Sequence, residues 1–501
     1  MSEFSTSIQQ LRIRTLNQAP LNPAGQYVLY WMIAARRTGW NFALQHAVEM
    51  AQQLNSGLVV FEPLRCDYPY ASERLHRFML QGMADNQKET GGRALTYFPW
   101  VESSQAQGKG LLEALAKDAC LVITDEYPAF FLPQMAQAAA KKLNVCLQTV
   151  DGNGLLPLQL VEREYPTAYA FRRFLHKALP AFIDDRPKES PLAGVVLPTV
   201  HLADDIKQSW PAADLPTLLK PRGLRHLPID HLVDPVTQVG GSCAAASRLE
   251  NFIARDLDHY ADRRNVPDLD STSRLSPYLH FGHISTHHIF SQLAEKEGWN
   301  SQQLSWKPTG QRSGWWGMST STEAFLDELV TWRELGYGFC RQRPDYAEYS
   351  ALPKWARATL EQHRGDHRPY LYSYQQLCSA QTHDPLWNAA QRQLLTEGRI
   401  HGYLRMLWGK KILEWSESPQ VALTTMLDLN DRYALDGRDP NAYSGISWCL
   451  GRFDRAWGPE RPIFGKIRYM TSQNTARKVA VKKYLQRYGD QQEKQDQAEL
   501  F

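Results

Sequence analysis

Hydrophobic and polar positions alternate in blocks along roughly the first 150 residues. Apolar or β-branched runs of strand length are separated by stretches with helical periodicity, which predicts a parallel sheet with helices on both faces. The predicted strands are Tyr27–Ala35, Leu58–Leu64, Ala94–Trp100, Cys120–Asp125 and Val145–Val150. The predicted helices are Phe42–Leu54, Ser72–Glu89, Leu111–Lys117 and Pro133–Leu143. We expect a doubly wound, five-stranded α/β domain over 26–152, after an N-terminal extension of 1–25.

The rest of the chain has a different pattern. Residues 153–235 are rich in proline and charge with weak periodicity, which indicates an interdomain linker. From Gly240 the periodicity becomes helical and continues to about Leu485. We therefore expect an all-α domain over 236–488 and a polar tail over 489–501.

Composition and charge narrow the class of protein. The 501 residues are too many for one compact core, and the 43% hydrophobic and 22% charged content is typical of globular proteins. Because the net charge is only +3, a nucleic-acid surface would have to come from local clustering. The seven scattered cysteines form no C-x-x-C pair, which argues against a disulfide framework or a cysteine zinc site.

Several classes of function are disfavoured by missing signals. No apolar run approaches the roughly 20 residues that cross a bilayer, and the start, MSEFSTSIQQ, lacks the apolar core of a secretory signal. Neither a Walker motif nor a dinucleotide glycine motif follows the first predicted strand, and no cluster offers a convincing set of metal ligands. We expect a cytoplasmic monomer with no membrane contact and no obligate protein partner.

Two groups of residues suggest chemistry in the helical half. The segment Asp270–Gly282, DSTSRLSPYLHFG, places hydroxyls and backbone N–H groups before a helix, which suits phosphate binding but also an ordinary helix cap. Trp408 and Trp415 are two helical turns apart on one face, about 10 Å along the axis, and Trp387 lies upstream. That spacing suits stepwise electron hopping, although a buried tryptophan stripe in a helical core has the same spacing.

The sequence around these residues resembles that of the photolyase/cryptochrome family, and in particular that of its class II cyclobutane pyrimidine dimer photolyases. The matching motifs are T-S-x-L-S-P-Y-L, D-P-L-W-N-A-A-Q-R, H-G-Y-L-R-M, K-K-I-L-E-W and R-P-I-F-G-K-I-R-Y-M. The resemblance covers roughly residues 11–150 and 240–485 and is strongest over 370–470. It implies light-driven repair of cyclobutane pyrimidine dimers in DNA, by electron transfer from reduced FAD.

The resemblance also implies which residues hold the FAD. Those that match the family's phosphate and ribityl positions are Tyr260, Thr272, Ser273, Arg274, Leu275 and Ser276. Arg405 matches the arginine beside the flavin ring, and Asp436, followed by Gly437, matches its carboxylate partner. Asn430 matches the asparagine that faces flavin N5. Asn441 is its rival, because more distant photolyases place that asparagine shortly after the Asp-Gly pair.

Electron transfer and lesion binding are assigned in the same way. The three tryptophans that photoreduce the flavin in the family match Trp387, Trp408 and Trp415, with Trp408 nearest the ring. The resemblance implies that Glu334 hydrogen-bonds the flipped dimer and that the dimer packs against Met406 and Trp448. The basic residues implied to hold phosphates beside the lesion are Arg455, Arg461, Lys466 and Arg468.

Two alternative functions share this fold. A cryptochrome-like blue-light photoreceptor would use the same flavin but signal through a partner. Repair of the 6-4 photoproduct would call for a catalytic histidine pair, and His280 and His401 do not match that role on sequence.

Departures from the family pattern mark a divergent, bacterial-type member. Trp332 replaces an arginine of R-R-E-L, and Leu407-Trp408-Gly409 stands where the family has Tyr-Trp-Ala, a change expected to alter packing. The stretch IAARRTGWNFAL after the first strand also departs from the pattern, which leaves open whether an antenna chromophore of the deazaflavin type binds. Residues 299–322 are predicted to be a loop whose four indoles either pack onto the domain or form a binding surface.

Overall fold

The computed structural model describes residues 6–490 and divides into two compact units. Within the described residues, the first unit comprises 6–162, 177–251 and 274–304, and the second comprises 163–176, 252–273 and 305–490. The start of the predicted N-terminal extension and nearly all of the predicted polar tail lie outside the described residues. None of the described helices has the length and apolar character needed to cross a membrane.

The first unit is built on a six-stranded sheet in the order β1-β6-β5-β2-β3-β4. The strands are β1 Ile13–Thr15, β2 Tyr27–Trp31, β3 Gly57–Leu64, β4 Thr96–Val101, β5 Ala119–Asp125 and β6 Leu147–Val150. Strands β2 to β6 pair in parallel, as predicted, whereas β1 joins β6 in the antiparallel sense. The predicted count of five strands was therefore one too low, because three residues are too few for β1 to show a periodicity.

Helices cover both faces of this sheet, which confirms the doubly wound prediction. Along β2, Leu29 and Trp31 are buried in one apolar cluster, and Val28 and Tyr30 in the other. The helices with residues in this unit are α1 Phe42–Gln53, α2 Glu73–Thr90, α3 Leu111–Lys117, α4 Leu132–Ala140, α6 Asp204–Ser209, α7 Leu215–Leu218, α8 Ser242–Arg255, α10 Ser276–His280 and α11 Thr286–Glu297. Strand β2 is shorter than predicted because the backbone N–H groups of residues 33–35 donate to the carboxylate of Asp125 and not to a neighbouring strand.

The second unit is helical, as predicted. Its helices are α5 Ala168–Ala178, which continues into the first unit, α9 Tyr260–Arg263, α12 Thr320–Leu326, α13 Arg333–Gln342, α14 Lys354–Gln362, α15 Tyr374–Cys378, α16 Pro385–Glu397, α17 Gly402–Trp415, α18 Pro419–Tyr433, α19 Pro440–Cys449, α20 Ser472–Lys478 and α21 Lys482–Tyr488. A π-helical turn, Asp327–Trp332, connects α12 and α13. The core of this unit is an apolar cluster in which α16, α17, α18 and α19 bury their facing side chains.

Candidate functional site

Three buried tryptophans lie where α16 and α17 pack together. Trp387 is on α16, Trp408 and Trp415 are on α17, and none is more than 2% exposed. The indole N–H of Trp387 donates to the backbone oxygen of Trp408 at 3.0 Å, and the ring centroids of Trp387 and Trp415 are 5.5 Å apart. The indole N–H of Trp408 donates to Oε1 of Gln391 at 2.8 Å. These contacts hold the indoles in fixed positions across two helices, which is an arrangement suited to electron hopping.

Aromatic packing continues from Trp415 to the protein surface. The rings of Tyr372 and His383 lie 5.4 and 5.3 Å from the Trp415 ring, between centroids. His383 stacks on Tyr370 at 3.7 Å, and Tyr370 is 48% exposed. The series of rings therefore extends beyond the three tryptophans that the sequence singled out.

The first turns of α17 carry a partly accessible ion pair and a buried histidine. Arg405 Nη2 contacts the two carboxylate oxygens of Asp436 at 3.2 and 3.3 Å, and the half-buried Met406 follows it. One turn earlier, His401 is 2% exposed, and neither of its ring nitrogens has a hydrogen-bond partner among the described residues. Burial lowers the pKa of His401 to about 4, so its ring is neutral at physiological pH. Since buried polar atoms are normally satisfied, His401 fits a polar group of a bound ligand.

The turn after α18 packs closely on that helix. A Cβ at Gly437 would lie 2.6 Å from the carbonyl oxygen of Asn430, so only glycine fits there. Asn430 is buried, and its side-chain amide donates to Asp431, a carboxyl whose pKa is raised by burial. Asn441 lies in the first turn of α19 and is exposed. The two candidate asparagines therefore have different surroundings.

Glu334, the predicted lesion-binding carboxylate, is in the first turn of α13 and is 5% exposed. The π-helical turn Asp327–Trp332 precedes it, and such turns are frequent at functional sites. Helix α13 packs tightly on α19, because a Cβ at Gly336 would lie 3.0 Å from the backbone oxygen of Pro440. The helix that carries Glu334 is thereby held against the helix that carries Trp448.

The indole of Trp448 lies near two cations. Lys410 Nζ is 5.1 Å and Arg468 Cζ is 5.2 Å from its ring centroid. Lys410 is fully buried and donates to the backbone oxygen of Cys449 at 2.6 Å, and burial lowers its pKa to about 8. These contacts stabilise the orientation of the indole. Lys410 is not recognisable from the sequence alone, because its partner is 39 residues away.

The basic stretch 451–469 alternates cations with aromatic rings. Arg455 and Arg468 both lie over the Trp457 ring, at 4.7 and 4.2 Å, and Arg468 also pairs with Asp454 at 3.0 Å. Arg455 is exposed, whereas Arg468 is partly buried.

The same stretch presents two further exposed cations. Arg461 lies 5.1 Å from the ring centroid of Tyr469, and Lys466 pairs with Glu460 at 3.2 Å. Exposed cations held by aromatic neighbours suit contacts with phosphates.

The predicted phosphate segment divides between the two units. In the second unit, Tyr260 is buried, and Arg264 lies over its ring at 5.6 Å. Thr272 and Ser273 are partly buried in the coil after Asp270, whose carboxylate binds the Arg399 guanidinium at 2.6 and 3.1 Å. In the first unit, the residues of this segment are Arg274, Leu275 and Ser276, and Ser276 begins α10.

Two arginines occupy the stretch after β2 that departs from the family pattern. Arg36 pairs with the buried carboxylate of Glu62 at 3.1 Å, and Arg37 donates to the backbone oxygen of Gly282 at 2.9 Å. Both guanidinium groups are therefore bound within the first unit.

Known proteins similar to this chain were identified by sequence. A protein of Methanothermobacter thermautotrophicus named deoxyribodipyrimidine photo-lyase is 34% identical over 479 residues, which are 95% of this chain and 97% of the relative. Proteins of the same name from Oryza sativa and Potorous tridactylus are 33% and 32% identical and match 95% and 94% of this chain. No protein-family model matches the chain.

A solved structure is similar in fold. The crystal structure of a bacterial class III photolyase from Agrobacterium tumefaciens matches with a TM-score of 0.66 and 16% identity, covering 97% of this chain and 88% of that chain. At this identity, the match supports a common fold.

Proposed function

The chain belongs to the deoxyribodipyrimidine photolyases of the photolyase/cryptochrome family, and on that basis we propose that it repairs cyclobutane pyrimidine dimers with an electron from reduced FAD. Light-driven DNA repair in general follows from membership of this family. The type of lesion, the cofactor and the roles of individual residues are what we propose.

The arrangement of Trp387, Trp408 and Trp415 is the observation that carries this proposal. A helical core often buries tryptophans, but these three are joined by a hydrogen bond and a ring contact across two helices. The same helix places Arg405 and Met406 within one turn of Trp408. One helix thus bears residues proposed to face the flavin, the lesion and the electron chain.

The residues around α17 fit a bound FAD. His401 supplies a buried ring whose nitrogens have no partner among the described residues, and Arg405 supplies a positive charge beside it. We propose that Arg405, held by Asp436, lies beside the flavin ring. Tyr260 and the segment 272–276 would hold the phosphates and ribityl chain, and Asn430 would face N5. Bound FAD in its reduced form supplies the light-driven electron of this chemistry.

The lesion pocket is proposed to use one carboxylate and two apolar walls. Glu334 would hydrogen-bond the dimer, while Met406 and Trp448 replace the stacking that a base loses when it leaves the duplex. The cation contacts of Trp448 support a rigid wall. The exposed cations Arg455 and Lys466, with their neighbours Arg461 and Arg468, would hold phosphates without reading sequence.

The variant Trp408→Phe separates the two halves of the proposal. We expect illumination to no longer reduce the oxidised flavin of this variant, because the first electron donor is lost. Repair by chemically reduced enzyme should be largely retained, because the tryptophans are not needed once the flavin is reduced. Flavin absorbance under light and dimer content in DNA are the two measurements.

The buried Trp316, which lies outside the three-tryptophan group, provides the matched control. Trp316→Phe should photoreduce normally. Photoreduction that survives in Trp408→Phe would contradict the assigned electron chain.

A further inference from the structure

The tryptophan-rich segment 299–322 exposes one of its four indoles. Trp306 is 84% exposed, whereas Trp299, Trp315 and Trp316 are at most 7% exposed. The sequence left open whether these indoles pack onto the domain or form a binding surface. Three of them pack inside the protein, and only Trp306 is exposed enough to bind a partner.

The loop that bears Trp306 is held firmly at its base. The buried carboxylate of Glu323 accepts hydrogen bonds from the backbone N–H groups of Trp316 and Gly317 at 3.1 and 3.0 Å. The Trp315 ring stacks on His176 with 4.1 Å between centroids and 1° between planes. An aromatic side chain on a loop already ordered in this way loses little conformational entropy when it binds a partner.

Cations and a second exposed ring lie on or beside the loop that bears Trp306. Lys307 Nζ lies 4.9 Å from the Trp306 ring centroid, and Arg312 is exposed in the same loop. At Gly310, a Cβ would lie 2.4 Å from Cγ of Arg173 and 3.1 Å from the ring of Tyr169, which is 54% exposed. We call the following five residues the Trp306 patch: Tyr169, Arg173, Trp306, Lys307 and Arg312.

The charge of the patch favours a polyanion. Its three cations are exposed, and residues 299–322 contain neither aspartate nor glutamate. The first carboxylate after this segment, that of Glu323, is bound to the loop backbone inside the protein. Exposed aromatic rings among cations are typical of nucleic-acid surfaces.

The patch is close to the basic stretch 451–469. Arg452, the second residue of that stretch, is bound to Glu164, which precedes Tyr169 by five residues. Five residues span at most about 18 Å, which is the rise of roughly five base pairs of duplex. A duplex held by the basic stretch therefore extends far enough to reach the patch.

We propose that the Trp306 patch is a second DNA-contact surface, which holds the duplex arm beside the lesion. Lys307, Arg312 and Arg173 bind phosphates, and the rings of Trp306 and Tyr169 pack on the sugars between them. This contact is independent of base sequence and of damage, because it reads only the backbone. The inference rests on the proposed function in that it takes damaged DNA as the substrate.

The experiment measures the affinity of flavin-loaded protein for duplex DNA with a central cyclobutane dimer, as a function of salt. The double variant Lys307→Ala/Arg312→Ala should reduce the slope of log K against log salt by about 2, since each phosphate contact contributes about one unit. The matched control Lys109→Ala/Lys141→Ala removes two exposed lysines from the first unit and should leave the slope unchanged.

The aromatic contribution is tested separately. Trp306→Ala should weaken binding about fivefold with an unchanged slope, and Trp306→Phe should retain most of the affinity. Leu232→Ala, at a 93% exposed apolar residue of the first unit, is the control. Undamaged duplex should show the same losses, because the proposed contact is with the DNA backbone and does not involve the lesion.

Normal affinity and normal salt slope in the patch variants would overturn the inference. So would a change in oligomeric state in Trp306→Ala, which would assign the patch to a second copy of the chain. Repair by the wild-type protein on the same DNA separates this inference from the proposed function. If the wild type repairs dimers and the variants bind normally, only the patch is wrong. If the variants bind weakly and the wild type does not repair, only the function is wrong.

Discussion

At the scale of residues, Trp387, Trp408 and Trp415 are central to the proposed site and are held by contacts between α16 and α17. The three tryptophans could be singled out from their spacing and from the sequence motifs around them, because they lie on two helices that are close along the chain. Gln391, which accepts a hydrogen bond from the Trp408 indole, was not singled out, although it lies one turn after Trp387. Lys410 was missed for another reason, since its partner is the carbonyl of Cys449 on a different helix.

The choice between Asn430 and Asn441 is decided by exchanging each for alanine. We expect Asn430→Ala to shorten the lifetime of photoreduced flavin in air, because the variant loses the buried amide that is proposed to face N5. Asn441→Ala, at an exposed position, should behave as the wild type. The measurement is the recovery of oxidised-flavin absorbance in the dark, and the opposite pattern would transfer the role to Asn441.

At the scale of elements, the contact between α17 and α19 explains one departure from the family. A Cβ at Gly409 would lie 2.5 Å from Sγ of Cys449 and 3.0 Å from Sδ of Met426. The glycine therefore makes room for the sulfur atoms of two neighbouring helices. The expectation of altered packing agrees with this contact, which involves residues too distant in sequence for spacing to reveal.

We expect Gly409→Ala to lower the free energy of unfolding. Overpacking costs about 1–3 kcal/mol, and the better helix propensity of alanine offsets roughly 1 kcal/mol of that. The second change Cys449→Ala should restore stability, because it removes the nearest clashing atom. Urea unfolding of the single and double variants measures both effects, and a fully stable Gly409→Ala would show that the helices move apart freely.

A histidine links α14 to the basic stretch. His363 Nδ1 contacts Asp366 at 2.6 Å, and Nε2 contacts Glu460 at 3.2 Å. The hydrogen bond with Asp366, with a smaller contribution from Glu460, raises the pKa of His363 above 6.5. Protonated His363 is therefore favoured in the folded protein. Its contribution to stability is complete below the unfolded pKa and is lost as the pH rises through the raised folded pKa.

We expect the variant His363→Gln to remove this component of the pH dependence. The thermal midpoint of the wild type should fall relative to that of the variant as the pH rises from about 6.5 through the raised pKa of folded His363. His201→Gln, at an exposed histidine of the first unit, is the control and should follow the wild type. Parallel pH profiles of His363→Gln and wild type would contradict the assignment.

Element types were predictable wherever the periodicity was long. The parallel strands and the helices of 26–152 follow from alternation, with boundaries close to those observed. Strand β1 and the π-helical turn 327–332 were not predictable, because one is three residues long and the other keeps a helical pattern of side chains. The end of β2 depends on the Asp125 carboxylate, a contact from another strand.

At the scale of the whole molecule, membership of the photolyases rests on similarity that spans nearly the entire chain, at up to 34% identity over 95% of its residues. Nine of the proposed site residues, the three tryptophans among them, lie on α13, α16, α17, α18 and α19 of the second unit. What the sequence left open about 299–322 was a question of burial, which depends on the His176 stack and the Glu323 carboxylate.

The most direct test of the account is the loss of lesions from DNA under light. Chemically reduced protein is illuminated with one duplex that contains a cyclobutane pyrimidine dimer and with a matched duplex that contains a 6-4 photoproduct. We predict that the dimer is converted to intact pyrimidines in light and not in darkness, while the 6-4 photoproduct persists. A dimer that persists under light, in protein whose flavin is readily photoreduced, would contradict the repair function and favour a photoreceptor.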